Sequence, residues 1–224
     1  MTMTKSITQL FALTFFVLFA SVATAVTAEQ AKGPALTTSI NPYHMIQQVA
    51  DSAFKRISTD QAKIQQDPNH LKVIVSEELM PYIDHRYAAR VVLYKIKASK
   101  ADKKAFYQAF EQYLITTYAT VFAQYTNQKV IFDPAKNFDG KKMVMVKSHI
   151  INPDSADTDI EFKVRKNKKT GVWKAYDLRA MGISLLDSKK AELKSLLRKK
   201  GGVNNVAQLL MKKAQADIVM DKKV

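Results

Sequence analysis

The spacing of apolar residues changes twice along this chain, and that change limits its fold more than any other feature. From Pro42 to about Asn127, apolar side chains recur every three or four residues, the period of an amphipathic helix. From Val130 to Arg179 they tend to alternate instead, as in strands with one buried face, and the helical period returns after Gly182. Helices, then strands, then helices predict an α+β fold with helices packed on one face of an antiparallel sheet.

Capping signals set the predicted helix boundaries. Asn41 is a favoured N-cap residue, and Pro42 suits the first helical position. Ser99 and Asp102 have the spacing of a capping box and open the longest helix, and Ser184 with Asp187 repeats that spacing. The predicted helices span residues 42–58, 68–79, 82–95, 99–127, 184–197 and 203–216.

The alternating segment predicts about four strands, over residues 130–132, 143–151, 159–166 and 172–179. Turn-forming residues at 152–154 and 167–171 separate consecutive strands, so these strands should form antiparallel hairpins. We see no internal repeat and no linker long enough to divide the chain, which predicts a single domain over 41–216.

The N-terminal segment is typical of a secretory signal. Lys5 precedes the apolar run Leu10–Ala20, and Ala25 and Ala28 each complete a small-x-small pattern. We predict a signal peptide over 1–28 with cleavage after Ala28 favoured over Ala25, although an uncleaved anchor is the alternative. Residues 29–40 are then a disordered lead, and residues 217–224 a charged tail.

The chain is strongly basic, with 35 Lys and Arg against 20 Asp and Glu and a formal net charge of +15. Only six of the cations are Arg, and Lys is a strongly hydrated point charge that is poorly suited to bidentate reading of bases. Export combined with Lys therefore favours anionic lipid headgroups over nucleic acid as the partner. Selection for solubility would explain the same composition.

The sequence lacks the residues and motifs that several enzyme classes require. The chain has no Cys, which excludes a thiolate zinc site, an iron–sulfur cluster and a cysteine nucleophile. The four His are scattered, and the sequence has neither a nucleophile elbow nor a glycine-rich phosphate loop. Asp177 is the one acid in an apolar setting, where a structural hydrogen-bond acceptor is the preferred interpretation. Asp84 and His85, as helix neighbours that point apart, are expected at the surface.

A collinear set of segments resembles the MlaC family, the toluene-tolerance-type phospholipid-binding proteins of the Mla intermembrane lipid transport system. These segments are Asn41-Pro42-Tyr43, Glu78–Asp84, Ala105–Phe110, Tyr113-Leu114, Tyr118-Ala119, Arg165-Lys166-Asn167, Trp173–Leu178 and Gly182-Ile183-Ser184. The resemblance runs from about Asn41 to Leu210. The chain departs from the family pattern at Tyr94, where Gly is common, and a bulky phenol there could reshape one wall of a cavity, an effect that the sequence leaves open.

The resemblance implies a nuclear-transport-factor-like cone, with a curved sheet faced by helices around a lipid cavity. It implies a monomeric periplasmic carrier without cofactor or metal, whose cargo is glycerophospholipid. Its partners would be an outer-membrane lipoprotein–porin complex and the substrate-binding-domain hexamer of an inner-membrane ABC transporter, and its role would be to maintain outer-membrane lipid asymmetry. Nucleic acid is not an expected partner.

The predicted lipid-binding residues are apolar or aromatic side chains of the predicted helices and strands, and none of them is expected to be catalytic. They are Leu79, Tyr82, Ile83, Val91, Val92, Phe110, Leu114, Tyr118, Val144, Val146, Ile160, Phe162, Trp173, Tyr176 and Ile183. Ordinary core packing is the alternative for each. Two rival functions are an isomerase or dehydratase on the same cone with Asp177 as its base, and a basic nucleic-acid-binding module.

Overall fold

The computed structural model describes residues 41–125, 128–151, 156–199 and 201–220. The predicted signal peptide and disordered lead, the turn at 152–154 and the last four residues of the predicted tail lie outside these ranges. Within them, no helix is both long and apolar enough to cross a bilayer.

Seven α-helices and five strands make up the described chain. The helices are α1 (Pro42–Thr59), α2 (Gln61–Gln66), α3 (His70–Ile74), α4 (His85–Val92), α5 (Lys100–Phe122), α6 (Leu185–Lys199) and α7 (Val203–Ala214). The strands are β1 (Lys129–Phe132), β2 (Met143–Ile151), β3 (Thr158–Lys166), β4 (Trp173–Ala180) and β5 (Ile183–Ser184). The predicted α+β class is confirmed.

The predicted N-caps work as expected. The Asn41 carboxamide oxygen accepts hydrogen bonds from the backbone N–H groups of Tyr43 and His44, at 2.9 and 3.2 Å. The Ser99 hydroxyl oxygen accepts from the backbone N–H of Asp102 at 3.0 Å. Ser184 accepts in the same way from Asp187, also at 3.0 Å. Local capping chemistry therefore fixes the start of the three longest helices.

Two predicted helices are shorter than their hydrophobic pattern indicates. The segment expected to be one helix over 68–79 is α3 followed by a π-helical turn, Val75–Leu79, and a 3₁₀ turn, Met80–Tyr82. Pro81 lies in that last turn, where its missing N–H is least costly. The helix expected from Tyr82 begins only at His85, because Asp84 caps it by accepting from the Tyr87 N–H at 3.0 Å.

The five strands form one antiparallel sheet in sequence order, β1 to β5. A bulge between Lys163 and Val164 shifts the register of β3 against β4. One face, which we call the inner face, carries Val146 and Val164, and α1 packs there through Met45 and Ile46. The opposite face carries Arg165, whose guanidinium pairs with Asp84 at the start of α4. Helices therefore contact both faces near β4, whereas the sequence predicted them on one face.

The buried residues form three clusters. The first, which we call the helical cluster, contains residues of α4, α6, α7 and the N-terminal half of α5. Phe106, Phe110 and Leu210 are among its buried members. The second cluster contains residues of α1, α2, α3 and the C-terminal half of α5. It also includes Ile218, which is 4% exposed and lies in the segment predicted as a charged tail. The third lies between α1 and the inner face of the sheet.

Candidate functional site

The aromatic stripe of α5 divides into two halves with different surroundings. Phe106 and Phe110, in the first half, are 0% and 1% exposed inside the helical cluster. Leu114, Tyr118 and Phe122, in the second half, are apolar and belong to the same stripe, yet each keeps accessible surface. The stripe is therefore filled at one end and incompletely covered at the other.

Some apolar side chains on the inner face of the sheet are also incompletely covered. The register places Ile160, Phe162 and Leu178 on the inner face with Val146. All three are only half-buried. Helix α5 packs against other helices, above all α7, more than on the sheet. Half-buried apolar side chains thus remain on the second half of α5 and on the inner face of the sheet, and we call this incompletely covered apolar surface the interior gap.

Tyr118 lies near Asp177 of β4. Burial, together with the negative charge of nearby Asp177, raises the pKa of its phenol to about 12. Burial has this effect because it disfavours the charged form of the phenol. The side chain packs against the second cluster and keeps accessible surface. Tyr118 therefore lies within the fold, with part of its surface uncovered by other side chains.

A cavity of about 490 Å³ opens between α1 and β1. Its lining residues are Gln47, Ala50, Asp51, Phe54, Tyr125, Gln128, Lys129, Val130, Ile131 and Phe132. The Phe54 and Tyr125 rings stack at 4.5 Å between centroids and pack against the second cluster, as Tyr118 and Phe122 do. We call this opening the cavity mouth. Its volume is within the range of small-molecule pockets, roughly 300–1,000 Å³.

The fifteen predicted lipid-binding residues occupy three environments. Half-buried are Leu79, Tyr82, Ile83, Val91, Leu114, Tyr118, Val144, Ile160, Phe162 and Tyr176. Fully buried in packed clusters are Val92, Phe110, Val146 and Trp173. Ile183, in β5 at the sheet edge, is 54% exposed. Only the members on the second half of α5 and on the inner face of the sheet belong to the interior gap.

The residues of the cavity mouth were missed by sequence reasoning. None of the predicted fifteen is among its lining residues. The helix-side members Gln47, Ala50, Asp51 and Phe54 follow a spacing of three and four residues along α1. That spacing is a visible signal, but a mixed polar and apolar stripe gives no reason to separate a cavity wall from an ordinary solvated face.

Asp177 is a structural acceptor, as preferred from sequence. Its carboxylate is 1% exposed and lies 2.8 Å from the Lys163 Nζ. The Ser184 hydroxyl donates to it at 2.7 Å, and the Leu186 backbone N–H donates at 3.0 Å. The hydrogen bond to Asp177 raises the pKa of Lys163. This fully engaged carboxylate ties the start of α6 to β4, and it has little freedom to serve as a base.

Two further expectations are wrong. Asp84 and His85, predicted at the surface, are half-buried, because Asp84 caps α4 and pairs with Arg165 while His85 approaches Glu111 at 3.4 Å. Tyr94, expected to reshape a cavity wall, is 62% exposed, and the Lys95 Nζ lies 5.5 Å from its ring centroid. Its phenol points away from the protein interior.

Within the described ranges, no group of three or more acidic or His side chains is arranged to hold a metal ion.

The chain is similar to known proteins in both sequence and structure. The family model described as MlaC protein matches residues 47–212. A binding protein of the intermembrane phospholipid transport system in Haemophilus influenzae, also called MlaC, is 31% identical over 185 residues, which are 81% of this chain and 86% of that protein. A Ralstonia solanacearum phospholipid-binding protein, solved in complex with a phospholipid, superposes with a TM-score of 0.68 at 21% identity, covering 78% of this chain and 97% of that one. The structural likeness establishes the fold.

Proposed function

This chain belongs to the MlaC family, and on that premise we propose that it carries phospholipid with the acyl chains in the interior gap and the headgroup at the cavity mouth. The observation that carries the proposal is the set of half-buried apolar side chains on α5 and on the inner face of the sheet. A monomeric protein that needed only a core would gain stability by closing that space.

The energetics match such a cargo. Each buried methylene contributes about 0.8 kcal/mol, so two acyl chains with roughly 30 methylenes cost on the order of 20 kcal/mol when exposed to water. Unaided crossing of an aqueous compartment is therefore negligible. A carrier has to offer comparable apolar surface, and the half-buried apolar side chains of α5 and of the inner face would contribute to it.

We further propose that the chain works in the periplasm and that its partners are a lipoprotein–porin complex and a transporter-associated hexamer. The name of the Haemophilus relative, which places it in an intermembrane transport system, supports this setting. We propose a non-catalytic role, because Asp177, the base that an enzyme on this fold would use, is already engaged by Lys163 and Ser184.

The direct test is lipid extraction and mass spectrometry of protein purified from cells without detergent. We expect near-stoichiometric phospholipid. Ile160→Glu places a charge on the wall of the gap and should remove the lipid, because a carboxylate beside acyl chains is poorly solvated. Val73→Glu, on α3 at 42% exposure, is the matched control and should keep the lipid.

Circular dichroism shows whether each variant is folded. A folded wild-type protein that carries no phospholipid would contradict the carrier function. Full lipid occupancy of folded Ile160→Glu would show that the acyl chains lie elsewhere.

A further inference from the structure

The cavity mouth has two walls of different origin. Gln47, Asp51 and Phe54 lie on one face of α1, one turn apart. The other wall is β1, with Lys129 at its first position and the apolar Val130 and Phe132 behind it. Because β1 pairs only with β2 in the sheet order, this wall is a sheet edge.

Polarity changes from the floor of the mouth to its rim. Phe54, Tyr125 and Phe132 are half-buried and apolar, and the first two stack on each other. Gln47, Asp51 and Lys129 are exposed. A ligand with an apolar body and a charged end would therefore place that end between Asp51 on α1 and Lys129 on β1.

These two rim charges have opposite signs and stand on opposite walls. In the part of the chain that the structure describes, neither takes part in an ion pair within 4.0 Å. The two buried carboxylates of the described residues are engaged, Asp60 by Arg56 and Asp177 by Lys163. The mouth thus presents a free cation and a free anion to whatever enters between them.

We propose that the cavity mouth selects zwitterionic phospholipid headgroups, those with both a phosphate and an amine. Lys129 would pair with the phosphate and Asp51 with the ammonium. A headgroup with phosphate as its only charge would satisfy Lys129 but leave Asp51 as an unfavourable like charge. This inference rests on the proposed carrier function and adds the headgroup class to it.

The expected preference is modest. Both side chains are exposed, and interactions between exposed charges are weakened by water and by salt. We expect a two- to five-fold preference for a zwitterionic over an anionic headgroup at low ionic strength, decreasing toward equal binding as salt is raised.

The experiment is a competition for bound lipid. Delipidated protein is incubated with vesicles that contain equal amounts of phosphatidylethanolamine and phosphatidylglycerol with identical acyl chains, then reisolated, and the bound lipids are quantified by mass spectrometry. Wild-type protein should hold more phosphatidylethanolamine. Asp51→Asn should bring the ratio near one, and Asp51→Lys should invert it toward phosphatidylglycerol.

Asp139→Lys makes the same change of net charge on an exposed loop residue outside the mouth lining, and it should leave the wild-type ratio unchanged. Equal binding of the two lipids by wild-type protein, or an unaltered ratio in Asp51→Lys, would overturn the headgroup inference while leaving the carrier intact. Absence of either lipid from folded wild-type protein would instead overturn the carrier function.

Discussion

The two halves of α5 carry the same kind of residue and have different roles. In the first half, Phe106 and Phe110 are 0% and 1% exposed, and their rings stack with centroids 5.8 Å apart. In the second half, Tyr118 and Phe122 keep accessible surface along the interior gap. One half stabilises the fold, and the other leaves apolar surface available. An aromatic stripe at helical spacing therefore does not reveal whether its neighbours fill the space beside it.

The largest effect is expected from truncation in the filled half. Phe110→Ala removes a buried ring and should lower the free energy of unfolding by about 3–5 kcal/mol, because transfer and cavity costs add. Urea denaturation followed by circular dichroism measures this loss. A loss of only about 1 kcal/mol would mean that the first half is loosely packed and that the comparison fails.

Phospholipid should strengthen mainly the second half. Free lipid at 100 times its Kd should stabilise the protein by about 2.7 kcal/mol, since it binds only the folded state. Hydrogen exchange should show added protection around Leu114, Tyr118 and Phe122, and less change around Phe106 and Phe110. Equal added protection along the whole helix would remove the distinction between the halves.

Truncation in the second half should lower the free energy of unfolding less than truncation in the first half, but it should reduce phospholipid binding more. Phe122 is already partly accessible, so Phe122→Ala should lower the free energy of unfolding by about 1 kcal/mol, below the value for a fully buried ring. The amount of phospholipid bound by Phe122→Ala should also fall, because the substitution removes apolar surface that would contact the acyl chains. Denaturation and lipid extraction of Phe110→Ala and Phe122→Ala, run side by side, give the comparison, and a larger stability loss in Phe122→Ala would reverse it.

The smallest effect concerns the face of the sheet opposite the inner face. His149 on β2 lies 2.9 Å from Asp133 after β1 and 2.8 Å from Asp159 on β3, and hydrogen bonds to these carboxylates raise the pKa of its imidazole. A raised pKa means that the contribution to stability is complete below the ordinary value near 6.5 and is lost as pH rises through the folded-state pKa.

Lys147 and Glu161 pair with each other on the same two strands, and Arg179 of β4 also pairs with Glu161. His149→Gln should therefore flatten the small decline of thermal stability between mildly acidic and mildly basic pH. An unchanged pH profile in His149→Gln would assign that decline to another group.

Much of the fold was predictable because its signals are local. Asn41, Ser99 and Ser184 cap helices at the positions where the sequence placed them. Alternation predicted β2 over Met143–Ile151 with both ends correct. The division of 68–79 into α3 and a π-helical turn was not predicted, because hydrophobic periodicity does not distinguish helices with slightly different hydrogen-bond registers.

The site was less predictable, for a physical reason. Sequence patterns identify side chains that avoid water, but both a packed core and the wall of a cavity are apolar. Phe110 and Tyr118 were therefore predicted together, although only Tyr118 borders the interior gap. The cavity mouth was missed because Asp51 and Lys129 are separated by most of α1 through α5 and meet only through the docking of α1 on the sheet.

The sequence by itself determined the α+β class, the capped helix starts, the strand alternation and the family, because these depend on neighbouring residues or on their order along the chain. Tertiary structure alone decided which apolar faces are covered and which are not, since α5 packs mainly on other helices, above all α7. It also decided which charges remain free, because an ion pair depends on distances between remote segments. Whether an apolar surface is core or cavity is settled by what lies opposite it.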